Sequence, residues 1–156
     1  MMRIGQGYDA HPWANDDRPL VIGGVHFPGH PGLDGHSDAD VVAHAVIDAV
    51  LGAAGLGDIG QNFPDDNLKF DRVSSIELLE QAVQLVQAAG WRIVNADCTV
   101  ITDKPQIAPV KDEMEANLSG AAGGPVTVCG KRTEGIGALG RGEGIVAIAV
   151  ALLEQR

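Results

Sequence analysis

Asp9, His11 and His44 form a set of side chains that could hold one divalent metal ion and leave a coordination position open. Residues two apart in a strand point to the same face, so Asp9 and His11 can grip one ion together. His44 falls on a helical pattern and can approach from the other side. Two imidazoles and a carboxylate suit Zn²⁺, and three protein ligands instead of four mark a catalytic site rather than a structural one. A lone Asp-x-His pair is more often ordinary turn chemistry, so the argument depends on what surrounds it.

The chain must build short strands and helices to bring these groups together. Residues 2–9 are expected to form a first strand, and Leu20–Phe27 a hairpin turning at Gly23-Gly24. Ser37 is placed to cap a helix over 38–54, with Asp40 as the acidic partner three residues on. Val41, Val42, Ala45, Val46, Ala49 and Val50 give that helix an apolar stripe, while Asp40, His44 and Asp48 share another face. Residues 55–72 lack periodicity and are expected to be a long loop, functional or mobile. A second helix opens at Ser74 and stops at Gly90, with Ile76, Leu79, Val83 and Val86 inward. Trp91–Ile101 alternates as a strand, and Val110, Met114 and Leu118 mark a third helix. Strands over 126–132 and 144–153 complete the pattern, the last so apolar that burial on both faces is expected. This order predicts one α/β domain over residues 1–156, a two-layer sandwich of a mixed sheet with helices on one face.

Composition narrows the function. Hydrophobic residues are 45% of the 156 but aromatics only 4%, so the core is aliphatic. A net charge of −10 excludes nucleic acid and anionic membranes as natural partners. No run of 18 apolar residues is present, and the first residues lack the apolar stretch of a signal peptide. Cys98 and Cys129 lie in expected strands with no metal-binding spacing and read as buried small hydrophobes. A cytoplasmic location follows as the expectation. Gly135-x-Gly137-x-x-Gly140 matches a dinucleotide fingerprint, but no βαβ unit follows it, so nucleotide redox chemistry is rejected.

Several blocks carry a family resemblance: Arg3-Ile4-Gly5-Gln6-Gly7-Tyr8-Asp9-Ala10-His11, Gly35-His36-Ser37-Asp38-Ala39-Asp40, His44–Asp48, Gly57–Gly60, Phe63-Pro64-Asp65 and Gly140–Gly144. In that order and spacing the chain resembles the 2-C-methyl-D-erythritol 2,4-cyclodiphosphate synthases of non-mevalonate isoprenoid biosynthesis. The resemblance implies a divalent-metal-dependent phosphorus–oxygen lyase. Its substrate would be 4-diphosphocytidyl-2-C-methyl-D-erythritol 2-phosphate and its products the 2,4-cyclodiphosphate and CMP. It implies Zn²⁺ at Asp9, His11 and His44, and Mg²⁺ or Mn²⁺ at the substrate diphosphate, held by Glu134. His36 would orient the phosphates with Ser37, and Arg132 would steady the transition state. Asp9, Ala10 and His11 would face substrate. Asp58, Ile59 and Gly60 would hold the methylerythritol hydroxyls beside a flap of Phe63, Pro64, Asp65, Asp66 and Asn67. Thr102, Asp103, Lys104, Pro105, Gln106, Ile107 and Ala108 would form the cytosine pocket. Lys131, Arg132, Thr133 and Glu134 would meet the diphosphate. This stretch departs from the threonine run common in the family and puts two cations there instead. Arg141 and Glu143 match a block around the threefold axis of a homotrimer, and Ala138 stands where phenylalanine is common. The active sites would lie between subunits. A zinc-dependent phosphohydrolase and a non-catalytic trimeric metal-binding protein are the competing classes.

Overall fold

The apolar run near the end of the chain becomes the strand that organises the sheet. In the computed structural model, which describes every residue but Arg72, β6 (Gly144–Gln155) pairs on both edges. On one side it runs antiparallel to β1 (Met2–Pro12), from Met2 opposite Glu154 to Pro12 opposite Gly144. On the other it runs antiparallel to β4 (Trp91–Ile101), with a shift of register between Ile93 and Asn95. β4 pairs in parallel with β5 (Val126–Lys131), giving a mixed sheet in the order β1-β6-β4-β5. A separate hairpin, β2 (Val21–Ile22) and β3 (Val25–His26), turns at Gly23 and Gly24, both with positive φ. That backbone matches the right-handed strand twist and favours glycine.

The long helices α1 (Val41–Ala54), α3 (Ser75–Ala88) and α4 (Lys111–Ala122) pack on the sheet, and two single-turn helices, α2 (Ile59–Asn62) and α5 (Gly137–Gly140), lie in the connections. Burial alternates along the strands as a one-sided sheet requires: Ile145, Ala147, Ala149, Ala151 and Leu153 of β6 are buried, and with them Gly5 and Gly7 opposite on β1 and Ile93, Ala96, Cys98 and Val100 opposite on β4. All of α1 except Asp48 and Gly52 is buried, between the sheet and α3, which makes it the core helix.

Small residues let α1 lie directly on the sheet. Gly5 and Gly7 of β1 sit opposite Ala151 and Ala149 of β6. A Cβ on Gly5 would lie 2.0 Å from the Ala49 carbonyl oxygen, and one on Gly7 only 1.8 Å from that of Ala45. No side chain fits between this strand and this helix, so the two backbones nearly touch.

The structure corrects several expectations. Ser37 does not cap α1. Asp40 does, accepting from the Val42 and Ala43 N–H groups, and the same carboxylate accepts from Gly23 and Gly24 at 2.8 and 2.7 Å. Asp40 is therefore fully buried instead of sharing a polar face with His44 and Asp48. Burial and the charge of Asp38 raise its carboxyl, while the N–H groups work the other way. Residues 55–71 are not featureless: α2 and a 3₁₀ turn at Leu68–Phe70 lie within them, and Arg72, the last residue of the expected loop, is outside the described residues. Cys98 is buried, but Cys129 is exposed, on the opposite face of β5 from Val128. In the single chain β6 is fully buried on one face, while on the other Val146 is buried but Ile148 and Leu152 are only half-buried. Val150 is 47% exposed, beside Ile4 and Tyr8 of β1 at 73% and 61%.

Gly7→Ala should force α1 off the sheet, because the clash is with a backbone carbonyl that no rotamer change can relieve. The expected loss is about 1–3 kcal/mol of stability with a matching loss of metal affinity, measured by urea unfolding and metal titration. Unchanged values for both would mean that the two backbones can separate freely.

Candidate metal centre and flanking cavity

The close approach of β1 and α1 creates the metal centre. Asp9 and His11 continue the helix-facing side of β1 begun by Gly5 and Gly7, and His44 lies one residue before Ala45, against which Gly7 packs. The His11 ring lies over Gly35, where a Cβ would come within 2.5 Å of it. The ligand atoms of Asp9, His11 and His44 all lie within 4.8 Å of one another. Asp9 Oδ2 is 2.8 Å from His11 Nε2 and 3.3 Å from His44 Nδ1, and the two ring nitrogens are 3.3 Å apart.

The outer partners of the rings decide what these short distances mean. A carbonyl can only accept, so the His11 Nδ1–H donates to the Asp34 oxygen, 2.9 Å away, and the neutral ring presents a lone pair at Nε2. His44 Nε2 lies 2.9 Å from the Ser75 hydroxyl, which itself donates to the Asp38 carboxylate. His44 Nε2–H can therefore donate to Ser75, leaving the Nδ1 lone pair free. Ser37 Oγ is also close, 3.1 Å from His44 Nε2 and 2.8 Å from Ser75 Oγ. Three acceptors thus converge on one point. Asp9 Oδ2 is buried beside two nitrogens yet has no properly directed hydrogen bond. Such a cluster needs a cation, and the donor set fits zinc.

Electrostatics say the same of the metal-free protein. Burial raises the Asp9 carboxyl, but the two imidazoles outweigh it and hold its pKa at about 2. Burial opposes a charged His11, yet Asp9 overrides that and raises the ring above its ordinary value. The same negative charge that favours a proton on His11 favours a cation among the three groups.

Beside the centre opens a cavity of about 210 Å³ that brings together Asp9, His11, His36, Ser37, His44, Ile59, Gly60, Phe63, Pro64 and Asp65. Asp48 holds the start of α2 at this cavity by accepting from the Ile59 N–H at 2.8 Å. Phe63 packs edge-to-face on Phe70, and His36 Nε2 reaches Asp65 at 3.1 Å across the mouth. Four other expected residues do not line it. Ala10 lies on the opposite face of β1, Asp58 caps α2, Asp66 is exposed nearby, and Asn67 caps the 3₁₀ turn.

A second cavity of about 410 Å³ contains Thr102, Asp103, Pro105, Gln106, Ile107, Ala108, Lys131 and Arg132, with Lys111. It shares no lining residue with the first. Lys104 lines an adjoining pocket that shares Asp103, Pro105, Gln106 and Arg132 with it. Thr133 is buried against Asp103, Glu134 is exposed in a left-handed backbone conformation, and Arg141 pairs with Glu143 at 2.8 Å, away from both cavities. Sequence reasoning passed over Ser75, Asp38 and the Asp34 carbonyl, which orient the two imidazoles. Among these only the Ser74-Ser75 pair gave a hint: one serine caps α3, and the other is left free to point inward.

The model of the YgbB family matches residues 2–154. The chain belongs to this family. It is 52% identical to the 2-C-methyl-D-erythritol 2,4-cyclodiphosphate synthase of Chromobacterium violaceum, covering 99% of both chains. It is 51% identical to that of Laribacter hongkongensis, covering 99% of this chain and 97% of the relative. Among solved structures it superposes on the IspF–CDP complex of Plasmodium falciparum with a TM-score of 0.84 at 31% identity, covering 99% of this chain and 97% of that one. It also matches the bifunctional IspDF of Campylobacter jejuni with a TM-score of 0.94 at 36% identity, covering all of this chain but 43% of that longer protein. Among the described residues no helix is long and apolar enough to cross a membrane.

Metal affinity in this family member should fall as pH is lowered. Asp9 stays ionised down to about pH 2, and a proton on His11, whose pKa Asp9 raises from its ordinary value, competes with the metal. Zinc affinity, measured against a chromophoric chelator, should drop by about tenfold per pH unit below the His11 pKa for one displaced proton. In His44→Ala, full zinc occupancy at neutral pH would remove His44 from the ligand set.

Proposed function

We infer that this protein converts 4-diphosphocytidyl-2-C-methyl-D-erythritol 2-phosphate to 2-C-methyl-D-erythritol 2,4-cyclodiphosphate and CMP, a lyase step of isoprenoid biosynthesis. The observation that carries this is the match to synthases along nearly the whole chain, with an Asp-His-His centre at its heart. In the reaction a 2-phosphate oxygen attacks the β-phosphorus. The bond from that phosphorus to the bridging oxygen breaks, and the electron pair leaves with CMP. The nucleophile is already an anion, so the protein's task is to position two phosphates and offset their repulsion.

Asp9, His11 and His44 hold Zn²⁺, Glu134 holds Mg²⁺ or Mn²⁺, and when bound these ions supply Lewis-acid polarisation and neutralise phosphate charge. His36 and Ser37, at the mouth of the metal cavity, orient the phosphates. Asp58, Ile59 and Gly60 receive the methylerythritol hydroxyls, and Phe63–Asn67 border them. The pocket from Thr102 to Ala108 receives the cytosine, and the cations Lys131 and Arg132 of the following turn meet the diphosphate, with Arg132 steadying the charge that develops.

The protein works as a homotrimer in the cytoplasm. Two features support the assembly: the metal cavity and the cation-lined cavity are separate within one chain, and the apolar strip of Ile4, Tyr8 and Val150 is open to solvent. Each active site then pairs the metal cavity of one subunit with the cation-lined cavity of the next, and Arg141 and Glu143 lie toward the threefold axis.

Phosphorus NMR of a reaction mixture should show a cyclic diphosphate with stoichiometric CMP. CMP with an acyclic product would make the protein a zinc hydrolase, and no turnover would make it a binding protein. The shared site has its own test. His44→Ala and the Lys131→Ala/Arg132→Ala double variant should each be nearly inactive. Co-expressed in equal amounts, they should regain activity at about one site in four under random mixing of subunits. No recovery from demonstrably mixed oligomers would place each site within a single chain.

A further inference from the structure

One carboxylate ties together the two loops that leave the parallel strands β4 and β5. Asp103, just past β4, accepts from the Thr133 backbone N–H through Oδ1 at 3.0 Å and from the Thr133 hydroxyl through Oδ2 at 2.7 Å. The Thr133 hydroxyl then accepts from the Gly135 N–H at 3.1 Å. Below this clamp, the Thr102 N–H donates to the Lys131 carbonyl at 2.9 Å. Thr133 is buried although its neighbours Lys131, Arg132, Glu134 and Gly135 are exposed. Glu134 holds a φ of 54°, unusual for a residue with a side chain, and the Ile136 N–H returns to the Thr133 carbonyl at 3.1 Å.

The hydrogen-bond count has a consequence. A hydroxyl has one proton to give, and Thr133 gives it to Asp103; the residue's backbone N–H goes to the same carboxylate. With the clamp closed, Thr133 has no donor left for a phosphate. Its place in the turn is structural, and the groups left facing the cavity are the cations before it, Lys131 and Arg132. The carboxylate of Asp103 lines that same cavity, where an uncompensated negative charge would repel an anion. Two donors on Thr133 and the neighbouring guanidinium of Arg132 offset it.

We propose that Asp103 is a positioning residue for the diphosphate: by taking both donors of Thr133 it presets the turn 131–135, so that Lys131 and Arg132, not Thr133, meet the ligand. This rests on the reading of the second cavity as the site for the cytidyl diphosphate. It explains how a turn that carries cations in place of hydroxyls can still offer a rigid anion site, since long cationic side chains lose more rotamer freedom on binding than hydroxyls do.

The test is a double-mutant cycle read by calorimetry with CDP and, separately, cytidine. Asp103→Ala and Thr133→Val should each weaken CDP binding by about tenfold, equivalent to about 1.4 kcal/mol. The combined variant should be no worse than either alone, because one clamp is lost in all three. Thr133→Ser, which keeps the hydroxyl, should restore most of the affinity. Cytidine, which has no phosphate, should bind the Thr133 variants within about twofold of the parent and should lose less than CDP does in the variants of Asp103, which itself lines the cytosine pocket; equal losses for cytidine and CDP across the set would mean a general collapse of the pocket and would overturn the proposal. It also fails if Thr133→Val costs as much in the Asp103→Ala background as in the parent, the result expected of a direct phosphate contact. Tighter CDP binding by Asp103→Ala would likewise sink it, by showing that the carboxylate only repels. If Asp103→Ala does not fold, Asp103→Asn takes its place in the cycle, with half of the clamp kept and a smaller but equally non-additive loss expected. Turnover of the cytidyl diphosphate substrate by the parent, followed alongside, tests the functional reading separately. A parent that binds CDP but forms no cyclic product loses the reaction while the cycle still decides the clamp; a parent that does not bind CDP overturns the clamp proposal.

Discussion

The rest of the structure depends on the contact between β1 and α1, where Gly5 and Gly7 leave no room for any side chain. Backbone-to-backbone packing of this kind is rigid, since there are no rotamers through which it can relax. It fixes the distance between a strand that ends in Asp9 and His11 and a helix whose first turn carries His44. Ala149 and Ala151, opposite Gly7 and Gly5, extend the same flat patch onto β6 and keep α1 level across the two strands. A metal site needs its ligands placed within fractions of an ångström. Here that precision comes from the absence of side chains two and four residues upstream. The rings are then aimed from outside: Asp34 and Gly35 set His11, while Ser75 and Asp38 set His44.

Much of this was legible in the chain because its logic is local. Period-two spacing places Asp9 and His11 on one face whatever surrounds them, and the helical pattern around His44 is unambiguous. The sheet, its three long helices and the Gly23-Gly24 hairpin follow from periodicity and turn chemistry. What failed was tertiary. Ser37 and Asp40 are both good caps on paper, and the choice between them was made by the hairpin, whose two glycine N–H groups need the Asp40 carboxylate. With Asp40 in that place the chain before it is wound through left-handed positions at Ser37 and Ala39, which turns the Ser37 hydroxyl toward His44 and Ser75. Cys129 was misplaced for a similar reason. Hydrophobic character suggested burial, but strand alternation puts it on the face that no helix covers. Ser75 could not be found from spacing at all, since it meets His44 across 31 residues of chain.

A chain of net charge −10 that serves a diphosphate faces a general electrostatic problem, and the fold answers it locally. At the metal centre the carboxylate is surrounded by two imidazoles, so the group that binds the cation is itself held ionised. At the second cavity Lys111, Lys131 and Arg132 are among the lining residues, and the one carboxylate among them, Asp103, is occupied by donors. The remaining acidic groups lie mostly on the surface, where water and salt screen them over about 10 Å. Net charge therefore says little about what a site can bind, whereas the hydrogen-bonding state of the few carboxylates inside it says a great deal.

The two sites also solve the problem of rigidity in different ways. In the metal centre, buried groups converge on a point, and burial itself supplies the constraint. The second cavity is more open, and its cations are exposed, so constraint must come from the backbone that carries them. Loops at the carboxyl ends of parallel strands are natural places for ligands because they can vary without disturbing the sheet. The same freedom leaves them loose unless they are joined to each other. The carboxylate that crosses from the β4 loop to the β5 loop makes this join, and it does so with a residue from each loop rather than with a longer element. An anion site assembled in this way can exchange hydroxyl donors for cations without a change of fold, because the turn's shape is held by Thr133 and Asp103, and the side chains beside them are free to differ.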